Sequence, residues 1–148
     1  MGSEPRTDHD ICIHVLKRFV EDHPERYRLI EYHVGGEPGP NFLAEDLEND
    51  VIVYAEVELD AKQTDRARRI AERVRRLVEQ RGKPVYLAMV SSSEKWVTTK
   101  RKTGVRDFLG DLVEAGKVRV VRVSPLALGA YASDFVGKRR PLRLSSVI

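Results

Sequence analysis

The chain has 148 residues, of which 41% are hydrophobic and 33% charged, and its formal net charge is +3. This composition predicts one globular domain, and no segment approaches the roughly 18 apolar residues of a membrane span. The amino terminus has no hydrophobic signal segment, so a cytoplasmic protein with no membrane partner is expected. A single cysteine, Cys12, excludes disulfides and cysteine-based zinc sites within one chain.

The basic residues are unevenly placed, which matters more than their small excess. They crowd into residues 66–81, 95–102 and 138–143. Such patches attract polyanions, so they predict a nucleic-acid partner. The alternative is a thermophile-like surface, on which many arginines form exposed ion-pair networks.

The first half of the chain predicts one helix and three strands. The capping residues Thr7 and Asp10 begin a helix with an apolar stripe, which ends near His23 because Pro24 follows. Alternating or apolar runs separated by turn residues then predict strands at 27–34, 41–47 and 51–59.

The second half alternates helix and strand. A long helix is predicted from about residue 61 to residue 81, followed by the terminator Gly82 and an apolar, central strand at 85–90. A polar loop, a helix ending at Gly116 and a strand at 118–123 complete a domain over residues 1–123. Residues 124–148 are expected to form a basic tail that packs on the domain or on a second subunit. The order α-β-β-β-α-β-α-β predicts an α/β protein with a mixed sheet and helices on both faces.

Two carboxylates interrupt the apolar run at 51–59. Glu56 and Glu58 share one face of the predicted strand, opposite the face of Val53, Ala55 and Val57. Their Cα atoms would lie roughly 6.6 Å apart, so that both side chains could reach one metal ion or one water.

The turn between the second and third strands predicts a third member of this cluster. A two-residue loop places Asn41 opposite Glu56 or Glu58, depending on its position, and in either case on their face. A three-residue loop would reverse this result. Oxygen ligands of this kind suit Mg²⁺ or Mn²⁺.

The element order and the sequence Gly39-Pro40-Asn41-Phe42-Leu43 with Ala55-Glu56-Val57-Glu58 resemble the PD-(D/E)xK nuclease superfamily, which has the restriction-endonuclease-like fold. The resemblance covers about residues 8–123. It implies a metal-dependent endonuclease that hydrolyses phosphodiester bonds of DNA or RNA, commonly as a homodimer. By position, Glu56 matches the metal-binding acid, Glu58 stands where a lysine is usual and would orient the attacking water, and Asn41 stands at the usual aspartate.

Asn41 also supports an alternative function. Asparagine lacks the negative charge of aspartate, so the chain could be a catalytically degenerate protein that binds nucleic acid or a partner protein. Two compensations would preserve catalysis: a carboxylate from Glu21 or Glu25, or the missing lysine's role taken by Lys62 or Gln63. In a purely structural alternative, the glutamates form salt bridges with arginines such as Arg66 or Arg69.

The loop after the central strand is the second candidate site. Its predicted nucleic-acid contacts are Lys95, Trp96, Lys100, Arg101 and Lys102. The cations would bind phosphates while the tryptophan stacks on a base. In the alternative, the loop is merely basic and Trp96 folds onto the core. The arginines of the long helix are instead expected to form surface pairs, such as Asp65 with Arg69 and Glu72 with Arg76.

Overall fold

A five-stranded mixed sheet organises residues 8–128, the part of the chain that the computed structural model describes. Its strands are β1 (Tyr27–Tyr32), β2 (Phe42–Asp46), β3 (Val51–Val57), β4 (Val85–Val90) and β5 (Val118–Val123), side by side in chain order. The strands β1, β2 and β3 pair antiparallel, whereas β3, β4 and β5 pair parallel. The parallel strands therefore end at one common edge of the sheet.

Within residues 8–124, four α-helices accompany the sheet: α1 (Asp8–Asp22), α2 (Thr64–Arg81), α3 (Val105–Phe108) and α4 (Gly110–Glu114). The predicted α/β class and element order are confirmed. The last predicted helix is divided in two at Leu109, because the backbone dihedral angles of this residue are not helical. The side chain of Leu109 is fully buried. No helix among residues 8–128 is long and apolar enough to cross a membrane.

The sheet separates two apolar cores. On one face, α1 packs against Val53, Ala55 and Val57 of β3. On the other face, α2 and α3 cover Ile52, Tyr54 and the adjoining strands. Glu56 alternates with Val57 and therefore faces α2. The α1 core includes Leu128, so packing continues past the predicted domain boundary at residue 123. Thr7 and residues 129–148, which hold most of the predicted tail, lie outside the described residues.

The register between β2 and β3 is one of the two predicted ones. Phe42 pairs with Ala55 and Asp46 with Val51, which extends to place Asn41 opposite Glu56. The connecting loop is longer than predicted, since four residues separate the last paired positions. Asp46 organises this loop by accepting hydrogen bonds from the backbone N–H groups of Glu48 and Asn49, at 3.0 and 3.1 Å.

Candidate functional site

Glu56 lies under α2 with no exposed surface. Its Oε2 accepts a hydrogen bond from the backbone N–H of Asn41 at 3.0 Å. Its Oε1 accepts one from Nη2 of Arg66 at 3.1 Å, and Nη1 of Arg73 lies 3.7 Å from the same oxygen. Both carboxylate oxygens therefore have protein donors, which is what a buried charge requires.

Arg66 joins the two glutamates. Its Nε donates to Oε1 of Glu58 at 2.7 Å while its Nη2 reaches Glu56. The Asn41 side chain is also engaged, because its Oδ1 accepts a hydrogen bond from the backbone N–H of Val57 at 2.9 Å. The sheet brings Asn41, Glu56 and Glu58 together as predicted, with Arg66 between the carboxylates.

The electrostatics of the cluster follow from burial. Desolvation raises the pKa of Glu56, although the Asn41 N–H and the charges of Arg66 and Arg73 act in the opposite direction. Burial also raises the pKa of Tyr54, whose Oη accepts a hydrogen bond from Arg73 at 3.3 Å. Burial disfavours the charged form of Arg66, but the hydrogen bond to Glu58 and the charges of Glu58 and Glu56 together outweigh this effect and leave the pKa of Arg66 raised.

The spacing of α2 explains how two arginines reach one buried acid. Arg66, Ile70 and Arg73 are at i, i+4 and i+7, so they lie along one side of the helix. Ile70 is buried in the core, and the arginines before and after it extend over β3. The sequence pointed to Arg66 as a possible partner but missed Arg73, which the seven-residue spacing from Arg66 could have identified.

This arrangement does not fit a divalent cation. Both oxygens of Glu56, Oδ1 of Asn41 and Oε1 of Glu58 already accept hydrogen bonds from protein donors, and Asn41 contributes no charge. Residues 8–128 contain no group of three or more His, Cys, Asp or Glu side chains that could hold a metal ion. A cation would first have to break the bonds of Arg66 to the two glutamates. The guanidinium group would then stay close by and repel the cation as a like charge.

Two of the predicted compensations for Asn41, Lys62 and Glu21, make their contacts elsewhere, whereas Gln63 lines the same cleft as Glu58. The Nζ of Lys62 donates to Oγ1 of Thr64 at 2.8 Å and of Thr103 at 2.7 Å, so its bonds lead away from the glutamates. Glu21 lies on α1, across the sheet from α2, and pairs with Lys17 at 3.2 Å. These contacts give neither residue the role that would replace the missing aspartate or lysine.

Trp96 departs from its predicted role. Its side chain is only 1% exposed and packs in the α2 core, and its Nε1 donates to the carbonyl of Asp60 at 3.1 Å. A base cannot stack on a ring that the core covers. Trp96 therefore folds onto the core, as in the alternative prediction, and its packing there anchors the loop.

The remaining predicted contacts of the loop are exposed cations: Lys95, Lys100, Arg101 and Lys102. None of them belongs to an ion pair among the described residues, whereas the neighbouring Glu94 pairs with Arg122 at 3.1 Å. The acid of the loop, Asp107, accepts hydrogen bonds from the Thr98 hydroxyl and from the backbone N–H groups of Thr99 and Gly104. The loop backbone is thus fixed from within, and the positive charges face solvent.

A cleft of about 460 Å³ lies beside the glutamates. Glu58, Asp60, Gln63, Arg66 and Trp96 are among its lining residues. Glu58 is thus the member of the cluster that adjoins open space, whereas Glu56 lies behind it.

The ion pairs of α2 differ from the predicted ones. Asp65 lies 3.7 Å from Arg68 rather than pairing with Arg69, and Arg75 pairs with Asp111 at 2.6 Å. The predicted pair of Glu72 and Arg76 is absent from the ion pairs of residues 8–128. Contacts with α4, which spacing along α2 cannot reveal, decided the partner of Arg75.

Comparisons with known proteins found similarity only among solved structures. No family model and no curated protein matches it. Among solved structures, it is similar to Pyrococcus furiosus SfsA in complex with Ca²⁺, at 17% identity and a TM-score of 0.43, over 74% of this chain and 52% of that one. It is also similar to EndoMS in the EndoMS–dsDNA2 complex, at 17% identity and a TM-score of 0.47, over 83% of this chain and 47% of that one. The chain spans about half the length of each, and at these scores neither similarity bears on its chemistry.

Proposed function

We propose that this protein binds DNA or RNA through the loop at residues 95–102, and that its paired glutamates serve structure rather than metal-dependent hydrolysis. The observation that carries the proposal is the display of four exposed cations on a loop whose backbone is held by Asp107 and Trp96. A cation that pairs with no carboxylate keeps its full charge for a phosphate. A fixed loop also loses little conformational entropy on binding.

The glutamate cluster supports the non-hydrolytic part of the proposal. Arg66 and Arg73 neutralise the charges of Glu56 and Glu58, so the site offers a divalent ion no net negative potential. Arg66 and the backbone N–H of Asn41 satisfy the hydrogen bonds of a carboxylate that has no access to water. A structural ion network accounts for every contact of this cluster.

Fluorescence anisotropy with labelled duplex and single-stranded DNA and RNA tests the binding. The test variant replaces Lys100, Arg101 and Lys102 with glutamine. A matched control replaces Arg81, Lys117 and Arg119, which lie near the starts of β4 and β5, at the opposite edge of the sheet. Losing three phosphate contacts should weaken binding by about two orders of magnitude near 0.15 M salt and reduce the salt slope by about 2.7.

The control should bind like the unmodified protein. Equal losses in both variants would mean that binding follows overall charge and not this loop. If the unmodified protein binds none of the four nucleic acids at moderate salt, the proposed function fails.

Metal-dependent hydrolysis is the second candidate, because Glu58 and Asp60 line an open cleft. A cleavage assay with Mg²⁺ or Mn²⁺ compares the unmodified protein with Glu56→Ala and Asn41→Asp. We expect no cleavage by the unmodified protein. Cleavage that disappears in Glu56→Ala would favour the enzyme, and cleavage that appears only in Asn41→Asp would indicate a site that lost its charge.

A homodimer remains a separate proposal, which derives from the resemblance to nucleases that cut two strands. Sedimentation velocity over a range of concentrations tests it. A single species with the mass of one chain, 16.9 kDa, at every concentration would reject the dimer.

A further inference from the structure

Lys62 is held by hydroxyl groups alone. Its Nζ donates to Oγ1 of Thr64 at 2.8 Å and to Oγ1 of Thr103 at 2.7 Å. Oγ1 of Thr103 lies 2.9 Å from Oγ1 of Thr99, which also accepts the backbone N–H of Thr103 at 2.9 Å. None of the ion pairs described for residues 8–128 includes Lys62, so a half-buried ammonium group here has no carboxylate beside it.

The hydrogen-bond count of this cluster leaves donors in excess. Two of the three N–H groups of Lys62 are used, and one remains. The contact between Thr99 and Thr103 uses one of their two hydroxyl protons. The Thr64 hydroxyl accepts from Lys62 and keeps its own proton. A group with several acceptor oxygens and a negative charge complements such a cluster.

The cluster lies at the base of the basic turn. Thr99 and Thr103 flank Lys100, Arg101 and Lys102, so the spare hydroxyl proton of the two threonines and these three exposed cations belong to the same five-residue segment, residues 99–103. Of the nearby acids, Asp107 accepts hydrogen bonds from Thr98, Thr99 and Gly104, and Asp65 pairs with Arg68, so neither forms an ion pair with Lys62.

We infer that Lys62, Thr99 and Thr103 form a phosphate-binding subsite, which holds one backbone phosphate of the nucleic acid that the turn binds. This inference rests on the proposed function. It gives Lys62 a role in binding rather than in catalysis at the glutamates. It also predicts that the hydroxyl groups contribute in addition to the charge, since Thr103 positions the ammonium group.

The test measures affinity and salt slope for the tightest-binding nucleic acid with Lys62→Met, Lys62→Arg, Thr103→Val and Thr103→Ser. Lys117→Met is the matched control, because it removes one exposed lysine at the opposite edge of the sheet. Lys62→Met should bind about fivefold more weakly near 0.15 M salt, with the salt slope reduced by about 0.9. Thr103→Val should weaken binding but change the salt slope by less than the roughly 0.9 expected for one lost phosphate contact. Lys62→Arg, Thr103→Ser and Lys117→Met should keep the affinity and salt slope of the unmodified protein.

Two failures are distinguishable. If Lys62→Met keeps the unmodified affinity and slope while the loop variant of Lys100, Arg101 and Lys102 loses binding, the subsite is wrong and the proposed function stands. If the unmodified protein binds no nucleic acid, both are wrong. Thermal unfolding by circular dichroism accompanies each variant, and Thr103→Ser provides the folded comparison if Thr103→Val unfolds.

Discussion

At the scale of single residues, the burial of Glu56 has the largest consequence for stability. A carboxylate with no exposed surface is stable only when donors replace its water, and here the Asn41 N–H and Arg66 supply them. Glu56 therefore depends on Arg66 in a way that an exposed glutamate would not. Replacing both partners of such an ion pair with apolar residues costs little stability. Removing one partner alone leaves the charge of the other buried and uncompensated.

Arg66→Met should consequently destabilise the fold by about 2 kcal/mol, below the range for fully buried pairs because Arg66 is 34% exposed and Arg73 remains nearby. Urea unfolding measures the loss. Arg68→Met is the matched control, since Arg68 is exposed and its pair with Asp65 is long, at 3.7 Å. Equal stability of the two variants would contradict the structural role of the Arg66 bridge.

Glu45 gives a pH dependence of defined sign. Hydrogen bonds from Lys83 and Arg28 lower its pKa from 4.5 to about 2. A carboxyl group with a lowered folded-state pKa stabilises the fold above its unfolded pKa, and this contribution is lost as the pH falls through the folded value. The stability difference between the unmodified protein and Glu45→Gln should therefore be constant above about pH 5.5 and shrink between about pH 4.5 and pH 2. Urea unfolding across this range checks it, and a difference that grows on acidification would contradict it.

At the scale of elements, the basic loop depends on a close approach of two backbone segments. Gly104 packs so tightly against the segment at Val97 that an added Cβ would lie 2.3 Å from the Val97 carbonyl oxygen. Its φ of −83° is ordinary, so the requirement for glycine here is steric and not conformational. Trp96 anchors the same segment, which links the core to the position of the cations.

Gly104→Ala should destabilise the protein by about 1–3 kcal/mol, because the clash involves backbone atoms that cannot turn away. It should also speed hydrogen exchange at the backbone amide of Thr99 and at the loop residues next to Gly104. Gly110→Ala is the matched control, since a Cβ there meets nothing within 4 Å. Unchanged exchange in Gly104→Ala would show that the loop tolerates displacement of this segment.

At the scale of the whole molecule, the neutralised glutamate cluster predicts a fold that is independent of divalent metal. A ligand that binds the native state alone raises stability according to its concentration relative to Kd. We expect the same urea midpoint in EDTA and in millimolar MgCl₂ or MnCl₂, with NaCl matching the ionic strength. A rise in midpoint with Mn²⁺ that Glu56→Gln abolishes would show a metal site and overturn this expectation.

Much of the fold follows from local pattern. The strands at 85–90 and 118–123 have the bounds that their apolar runs predict, and Gly82 ends α2 in the left-handed conformation. The four-residue loop between β2 and β3 was not predicted, because the carboxylate of Asp46 caps it through contacts that a residue count does not contain. The candidate site was likewise predicted only in part. Strand alternation predicted that Asn41, Glu56 and Glu58 share a face of the sheet, but it did not predict which element covers that face.

The sequence by itself determined the class of fold, the position of the two glutamates on one side of β3, and the concentration of cations in the loop at residues 95–102. These depend on period-two alternation and on composition, which are local properties. The tertiary structure decided what those residues do. Packing of α2 over β3 placed Arg66 between Glu56 and Glu58, and packing of the core enclosed Trp96, because side-chain partners are set by which elements meet in space.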